Sequence, residues 1–465
     1  MRMSAKSAPS PRAATPDDRG GASRARGKLA VYIGISAIGM SCALVFHAYC
    51  DRILHADYPL NSLLFVSRLR FSDLTDVLFS ARRLDPYSTW ALYFPFAYIV
   101  AYPFAALPPA VAIIIYLAVT AGLLVRVVHA TLRQASFAPA TAAPLAVAVL
   151  GLAYPVWFCA DRGNVELTLL LLICVVLLAM RRRNYFSAAA CLASAVCLKL
   201  YPIVLICLFA RRRAVRFAVG LIAASVVVSA FSLLAFKGTP AGNIARWRAQ
   251  TAEFHRHYVL GNRGMGGSAG WWNAYKVVAI QRNPEAALRD PRGESEAWQA
   301  AMARPFRRFV LVVLVCGGGV ALFTLIVETS VWRQAALLLL YMVLSAPAGA
   351  EYKLVHCVAV IVSLVVAPWR RAGDTAAVAL VSLAMVPKRY VFFESVITDV
   401  GAADCSIGVL VNPALLTVAA LVLVWQGMAY TTAKRRYLRM MYALTRLPSY
   451  LFMSGSPQWR RRLSG

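Results

Sequence analysis

Residues 163–180 are apolar almost throughout and stop at Arg181-Arg182-Arg183, and the same pattern, an apolar stretch closed by Arg or Lys, recurs along the chain. A helix needs about twenty apolar residues to cross the hydrocarbon of a bilayer. Only helices and closed barrels can satisfy their backbone groups there. A chain built from such runs is expected to fold as an all-α polytopic membrane protein. Composition agrees, since 60% of the 465 residues are apolar and 15% charged, outside the range of a soluble domain. The net charge of +29 would by itself suit a nucleic-acid partner. Most Lys and Arg, however, sit in short clusters between the runs, as in the cytoplasmic loops of membrane proteins, so the charge reads as topology and no nucleic acid is expected.

The order of the runs sets the expected architecture. Residues 1–28 are rich in Ser, Ala, Pro and Arg, which predicts a disordered cytoplasmic tail, and 29–50 supply a first span. No small-residue cleavage site follows it, which argues against a removable leader. If the clusters at Arg133, Arg181–Arg183, Arg211–Arg213, Arg370-Arg371 and Lys434-Arg435-Arg436 are cytoplasmic, two large loops, 51–108 and 237–304, lie outside together with Asp161–Asn164. That parity requires Trp90–Leu107, broken by Pro95 and Pro103, to be re-entrant rather than spanning. The 27 residues between the two arginine triplets are too few for two full spans and predict a short hairpin with Lys199-Leu200-Tyr201-Pro202 at its apex. Later runs at 306–327, 332–347, 353–369, 375–387 and 411–429 alternate in the same way. About eleven or twelve membrane segments result, in one integral domain over 29–429 followed by a basic cytoplasmic tail over 430–465. The expected location is the plasma membrane, a bacterial inner membrane, surrounded by membrane lipids.

Chemistry-bearing residues gather on the outer face. Asp57, Asp73, Asp76 and Asp85 fall within 51–95 of a chain with only 20 acidic residues. The same face receives Arg162 with Asn164 and Glu166, Lys199 with Tyr201, His255, His257 and Arg263, and Glu351 with Lys353 and His356. Carboxylates facing several cations suit a phosphorylated substrate and a hydroxyl to be deprotonated. They equally suit a transporter or flippase for an anionic or lipid-linked solute, which is the competing reading. Each residue also has a structural reading. Asp73 can cap a helix over 74–84, Asp85-Pro86 a turn, Asn164 the next helix. Lys199 can snorkel from a kinked helix, Trp271-Trp272 can sit in an interfacial belt, and Glu351 can pair with Lys353 alone. The ten Cys are scattered without metal-like spacing and read as small buried hydrophobes, with one bridge between Cys50 and Cys405 left open. No phosphate loop, dinucleotide fingerprint or His-Glu-x-x-His helix is present, so no cofactor is expected and no metal ligands are assigned, divalent-metal dependence being left open.

Three stretches carry a family resemblance. Phe71-Ser72-Asp73-Leu74, Asp85-Pro86-Tyr87 and Tyr93-Phe94-Pro95-Phe96 leading to Tyr102-Pro103-Phe104 resemble the first external loop of polyprenol-phosphate-sugar-dependent glycosyltransferases of the GT-C class, family 87 (also called DUF2029). Asp161-Arg162-Gly163-Asn164 is similar to that family's element opening a helix, and Lys199-Leu200-Tyr201-Pro202 to its Lys-x-x-Pro element. The resemblance covers about 30–360 and implies a GT-C-type fold. It also implies an inverting enzyme that passes a sugar, mannose foremost, from a polyprenyl monophosphate donor to a hydroxyl of a lipid-linked or glycan acceptor. It makes Asp73 the general base. Asp76, Arg162, Asn164, Lys199, Tyr201, Lys353 and His356 are assigned to substrate, with the cations on the phosphate. The chain departs from the pattern at Ser345-Ala346-Pro347 and the following Glu351-Tyr352-Lys353, where relatives carry Ser-Pro, Trp and paired histidines.

Overall fold

The computed structural model describes residues 16–445 except 59, 65–66, 88–92, 211–213, 266, 283–284, 286–288, 291, 368–371, 389–391 and 394–404. The tail residues 1–15 and 446–465, Trp90, and the clusters Arg211–Arg213 and Arg370-Arg371 lie outside the described residues, as do the side chains of Lys434-Arg435-Arg436 and Cys405.

Helices dominate. In chain order they are α1 (Pro16–Arg52), α2 (Ser72–Arg83), α3 (Pro95–Ala105), α4 (Pro109–Arg133), α5 (Pro139–Gly151), α6 (Tyr154–Arg162), α7 (Glu166–Arg181), α8 (Tyr185–Leu198) and α9 (Cys207–Ala210). After these come α10 (Val215–Ser232), α11 (Pro240–Phe254), α12 (Trp271–Arg282), α13 (Glu296–Ile326), α14 (Val331–Ser345), α15 (His356–Val366), α16 (Ala372–Met385) and α17 (Gly408–Thr445). A two-residue antiparallel ladder pairs Phe392–Phe393 with Cys405–Ser406. Proline opens α3, α4, α5 and α11 at the first turn, where its missing N–H costs nothing.

Five stretches are long and apolar enough to cross a membrane, Ser23–Arg52, Pro109–Arg133, Val215–Ala235, Glu296–Ile326 and Gly408–Thr432. A sixth arises if α5 and α6, bent by 64° between Gly151 and Tyr154, form one broken span. The expected run at 141–159 is therefore two helices, parted where Pro155 prevents α5 from continuing. The other apolar runs fold shorter than their sequence suggests, as in Pro95–Ala105, Tyr185–Leu198, Tyr201–Ala210 and Val331–Ser345. The expected hairpin takes the form of α8, a break at Lys199-Leu200 and a 3-10 turn running into α9. α1 reaches back to Pro16, so residues 16–28, expected without structure, continue the first helix.

The core centres on α15, every residue of which is buried. A helix apolar on all sides belongs in the middle of a bundle, and α15 packs against α14, α16, α1, α4 and α7. A second cluster joins α2 and α3 to Val165, Leu198, Leu233 and Phe236. Beyond α15's last turn lies an ionic knot: Lys28 Nζ donates to Leu364 O at 2.8 Å and reaches Asp374 Oδ2 at 3.3 Å. Arg333 pairs with the same Asp374 and with Glu328 Oε2 at 3.0 Å. All four side chains are buried, and two cations balance two anions, the condition for charges to persist in such surroundings.

Candidate active site

The site is assembled where α6 ends, α2 begins and α7 starts. The α2 sequence places Leu74, Val77, Leu78 and Ala81 on one buried stripe, Asp73 in the first turn, and Arg82 and Arg83 in the last, an order that suits both amphipathicity and the helix dipole. α6 stops because Gly163 takes φ 63°. A Cβ at Gly163 would also meet Leu74 Cβ at 2.8 Å and the Leu74 nitrogen at 3.4 Å, so glycine serves both the left-handed cap and the close approach of α2. Phe71 N donates to Asp161 O at 2.6 Å and Arg70 Nε to Asp161 Oδ1 at 2.8 Å, fastening the entry of α2 to α6.

This junction brings Arg162 and Asn164 onto Asp73. Arg162 Nη2 donates to Asp73 Oδ1 at 2.5 Å, and Asn164 Nδ2 to Oδ2 at 2.6 Å. Asn164 Oδ1 accepts from the Glu166 N–H at 3.0 Å, so one side chain ties the first residue of α7 to Asp73. Asp76, one turn along α2, makes no hydrogen bond or ion pair among the described residues. Its partial burial and the Asp73 charge hold its carboxyl above the usual range, against the pull of Arg162.

Deeper in, Glu166 is the hub of a second cluster. Fully buried at the start of α7, it accepts from Lys199 Nζ at 2.7 Å, from Tyr201 Oη, and from His356 Nε2 at 2.7 Å. Because a carboxylate only accepts, His356 carries its proton on Nε2 toward Glu166. Lys353 Nζ lies 5.1 Å from the centroid of the Tyr201 ring and donates to Ala348 O; it is within electrostatic reach of Glu166 but forms no ion pair among the described residues. Its backbone is braced from the 261–270 stretch, where Glu351 N donates to Gly267 O at 2.6 Å and Ser268 Oγ to Gly349 O at 2.8 Å. Tyr93 and Tyr352 join the two clusters: Lys199 Nζ stands 5.3 Å from the Tyr93 ring centroid and 5.7 Å from that of Tyr352, and both tyrosines lie within electrostatic reach of Asp73 and Glu166.

All eight expected site residues thus fall in one neighbourhood. Glu166, grouped with Arg162 and Asn164 in the sequence but given no role, is the residue that gathers three of them. Others are elsewhere. His257 and Arg263 pair with Glu294 at 3.0 and 2.9 Å, Trp272 is buried with Nε1 on Val259 O, and Asp85 pairs with Arg246 at 2.7 Å. Glu351 and Lys353 form no ion pair with each other, since Lys353 turns to Ala348 and Glu351 lies within reach of Lys388. Cys50 is a buried free thiol. Among the described residues no group of three or more His, Cys, Asp or Glu is placed to hold a metal ion.

A small apolar cleft, about 50 Å³ in volume and open to one side, lies next to these clusters in sequence. Its lining includes Leu74, Val165 and Leu198, each adjacent in sequence to a charged site residue, together with Val100, Ala101 and Phe104 of α3.

Compared with known proteins, the chain matches the profile of glycosyltransferase family 87 over residues 91–392. That span holds Arg162, Glu166, Lys199, Lys353 and His356, while Asp73 and Asp76 precede it. No curated protein matches the chain. With a multi-helix membrane architecture, a polar cluster built on α6, α7 and α15, and a profile match over most of its length, the chain belongs to glycosyltransferase family 87 and is a membrane glycosyltransferase.

Proposed function

We propose that the protein moves mannose from a polyprenyl monophosphate to a hydroxyl of a lipid-linked or glycan acceptor on the extracytoplasmic side of the plasma membrane, with inversion at the anomeric carbon. The observation that carries this reading is the distribution of charge beside the apolar cleft. In the deep cluster Lys199 is matched by Glu166, and Lys353 is left over as one positive charge. In the shallow cluster Arg162 is matched by Asp73, and Asp76 is left over as one negative charge. A phosphodiester carries a single negative charge and fits the deep cluster with its lipid tail toward the cleft. The hydroxyl that must lose a proton then meets the shallow one.

In this reading Lys353 and Lys199 hold the phosphate and steady it as it leaves, and the Lys199 charge is shared with Glu166. Tyr201 and His356 orient the same pocket through Glu166. Asp73, fixed by Arg162 and Asn164, accepts the proton of the attacking hydroxyl as that oxygen bonds to the anomeric carbon and the phosphate oxygen departs. A carboxylate oxygen has two lone pairs, so the bonds from Arg162 and Asn164 leave room for a third donor. The arginine clusters closing the apolar runs support cytoplasmic termini, which puts Asp73 outside.

The test is donor choice. The protein in lipid nanodiscs is expected to release polyprenyl phosphate from polyprenyl phosphate-mannose and to leave a nucleotide-linked mannose intact. Consumption of the nucleotide donor, or movement of the lipid-linked sugar across a vesicle without its cleavage, overturns the reading.

A further inference from the structure

Inversion puts the attacking oxygen and the departing phosphate on opposite faces of the anomeric carbon, so on the proposed transfer reading the sugar lies between the shallow cluster and the deep one. The side chains that join the two clusters are Tyr93 and Tyr352. Their rings flank Lys199, whose Nζ stands 5.3 Å and 5.7 Å from the two centroids and donates to Glu166 at 2.7 Å. Tyr93, just before α3, packs among Leu74, Val165 and Leu198, the neighbours in sequence of Asp73, Glu166 and Lys199. Tyr352 is seated on α6, where Cys159 Sγ, one turn before Arg162, donates to its carbonyl at 3.2 Å. Packing therefore sets one tyrosine from each side against both clusters.

Neither phenol hydroxyl has a hydrogen-bond partner among the described residues, and, unlike the Tyr87 hydroxyl, neither is sealed off. The place is open to a ligand, since the side chains of Asp73, Arg162 and Lys199 around it are 17%, 20% and 18% exposed. Tyr93 itself is only 8% exposed, and polar groups so enclosed are normally paired. A phenol can both donate and accept. Lys199 is matched by Glu166 and Arg162 by Asp73, so the groups left to bind between the clusters carry no charge. They complement the ring hydroxyls of a neutral sugar, and a charged sugar gains no unmatched counter-charge there.

We infer that Tyr93 and Tyr352 form the pocket for the transferred sugar, each phenol hydroxyl bonding a hydroxyl of an uncharged sugar while its ring keeps Lys199 in place. This assignment rests on the transfer reading. Asp73 takes the proton and the lysines hold the phosphate, whereas the two tyrosines recognise the sugar itself. A purely structural alternative is that the rings serve only to brace the Lys199 ammonium, which an aromatic face within about 6 Å attracts.

The experiment uses the full chain in lipid nanodiscs with three kinds of probe: polyprenyl phosphate-mannose, its monodeoxy analogues and sugar-free polyprenyl phosphate. Binding is measured directly and transfer in parallel. Tyr93→Phe and Tyr352→Phe keep the rings beside Lys199 and remove only the hydroxyls. Each is expected to weaken binding of polyprenyl phosphate-mannose about tenfold, the order of one hydrogen bond between uncharged groups. Binding of polyprenyl phosphate should stay unchanged, which also reports that the variants fold. The monodeoxy donor that lacks the bonded hydroxyl should lose as much in the parent protein and nothing further in the matching variant.

Unchanged binding of polyprenyl phosphate-mannose in both variants overturns the inference. So does an equal loss for sugar-free polyprenyl phosphate, because the hydroxyls then serve the phosphate or the fold. If the variants weaken binding of the mannose lipid alone but the parent protein transfers no mannose, the pocket stands and the transfer reading fails. If mannose is transferred and neither variant alters donor binding, the pocket alone fails. Absence of saturable binding of either lipid by the parent protein overturns both.

Discussion

Glu166 shows how much a single buried carboxylate can organise. It sits at the first turn of α7, where acidic residues are common for reasons of helix dipole alone, so the sequence offers no sign that it will collect Lys199, Tyr201 and His356 from two other parts of the chain. That reading needs the α8 break and the α15 entry brought together. Asp73, Arg162 and Asn164 are more legible, because the alternation of basic clusters puts them on one face and two separate motifs carry them. Glu166→Gln keeps size and one acceptor oxygen but leaves Lys199 without its counter-charge. Breaking one side of a buried ion pair costs about 3–5 kcal/mol. We expect a clear drop in thermal stability together with a raised donor KM, measured by unfolding and by donor titration. A loss of stability with donor KM unchanged would restrict Glu166 to a structural part.

At the scale of elements, the junction of α6 with α2 fixes where Asp73 stands. Gly163 was readable as part of a motif but not for its reason, which is that α2's first turn lies on top of it. Gly163→Ala places a side chain at a left-handed φ and against the Leu74 backbone. The conformational part alone costs about 1–2 kcal/mol, and a shift of about 1 Å in a catalytic group can cost about 100-fold in rate. We expect kcat to fall at least tenfold while the protein still reconstitutes, with Gly163→Asn, which tolerates the left-handed region better, no worse than Gly163→Ala. Equal activity of wild type and Gly163→Ala would show that the α6–α2 contact does not set the geometry of Asp73. The lengths of the membrane helices were the weaker part of the sequence reading. Hydropathy fixes where apolar runs lie, but Pro155, Pro202 and the Lys199 break decide where helices end, so several runs fold short or bent.

In the whole molecule, the two ends of α15 carry different charge logic. His356 at one end lies in the candidate site, and beyond the other end the buried Lys28, Arg333, Asp374 and Glu328 lock α1, α14 and α16 together. Arg333 lay inside an apolar run and its role was invisible, since a buried ion network is defined by partners far apart in sequence. Arg333→Met leaves Glu328 and Asp374 without their shared cation. We expect a loss of about 3–5 kcal/mol, read as a lower unfolding temperature in nanodiscs and partly recovered by adding Glu328→Gln, which leaves Lys28 matched with Asp374. An unchanged unfolding temperature would remove the knot from the account of stability. The central claim concerns the other end of the molecule, and its most direct test is transfer of radiolabelled mannose from polyprenyl phosphate-mannose by the reconstituted protein and by its Asp73→Asn variant. Asparagine keeps the size of the side chain and a partner for Arg162 while removing the base. The account predicts transfer by the wild type and at least a 100-fold loss in the variant, within the range of about 10²–10⁴-fold for general bases, with donor binding retained. Full activity of Asp73→Asn, in a protein that folds and binds donor, would contradict it.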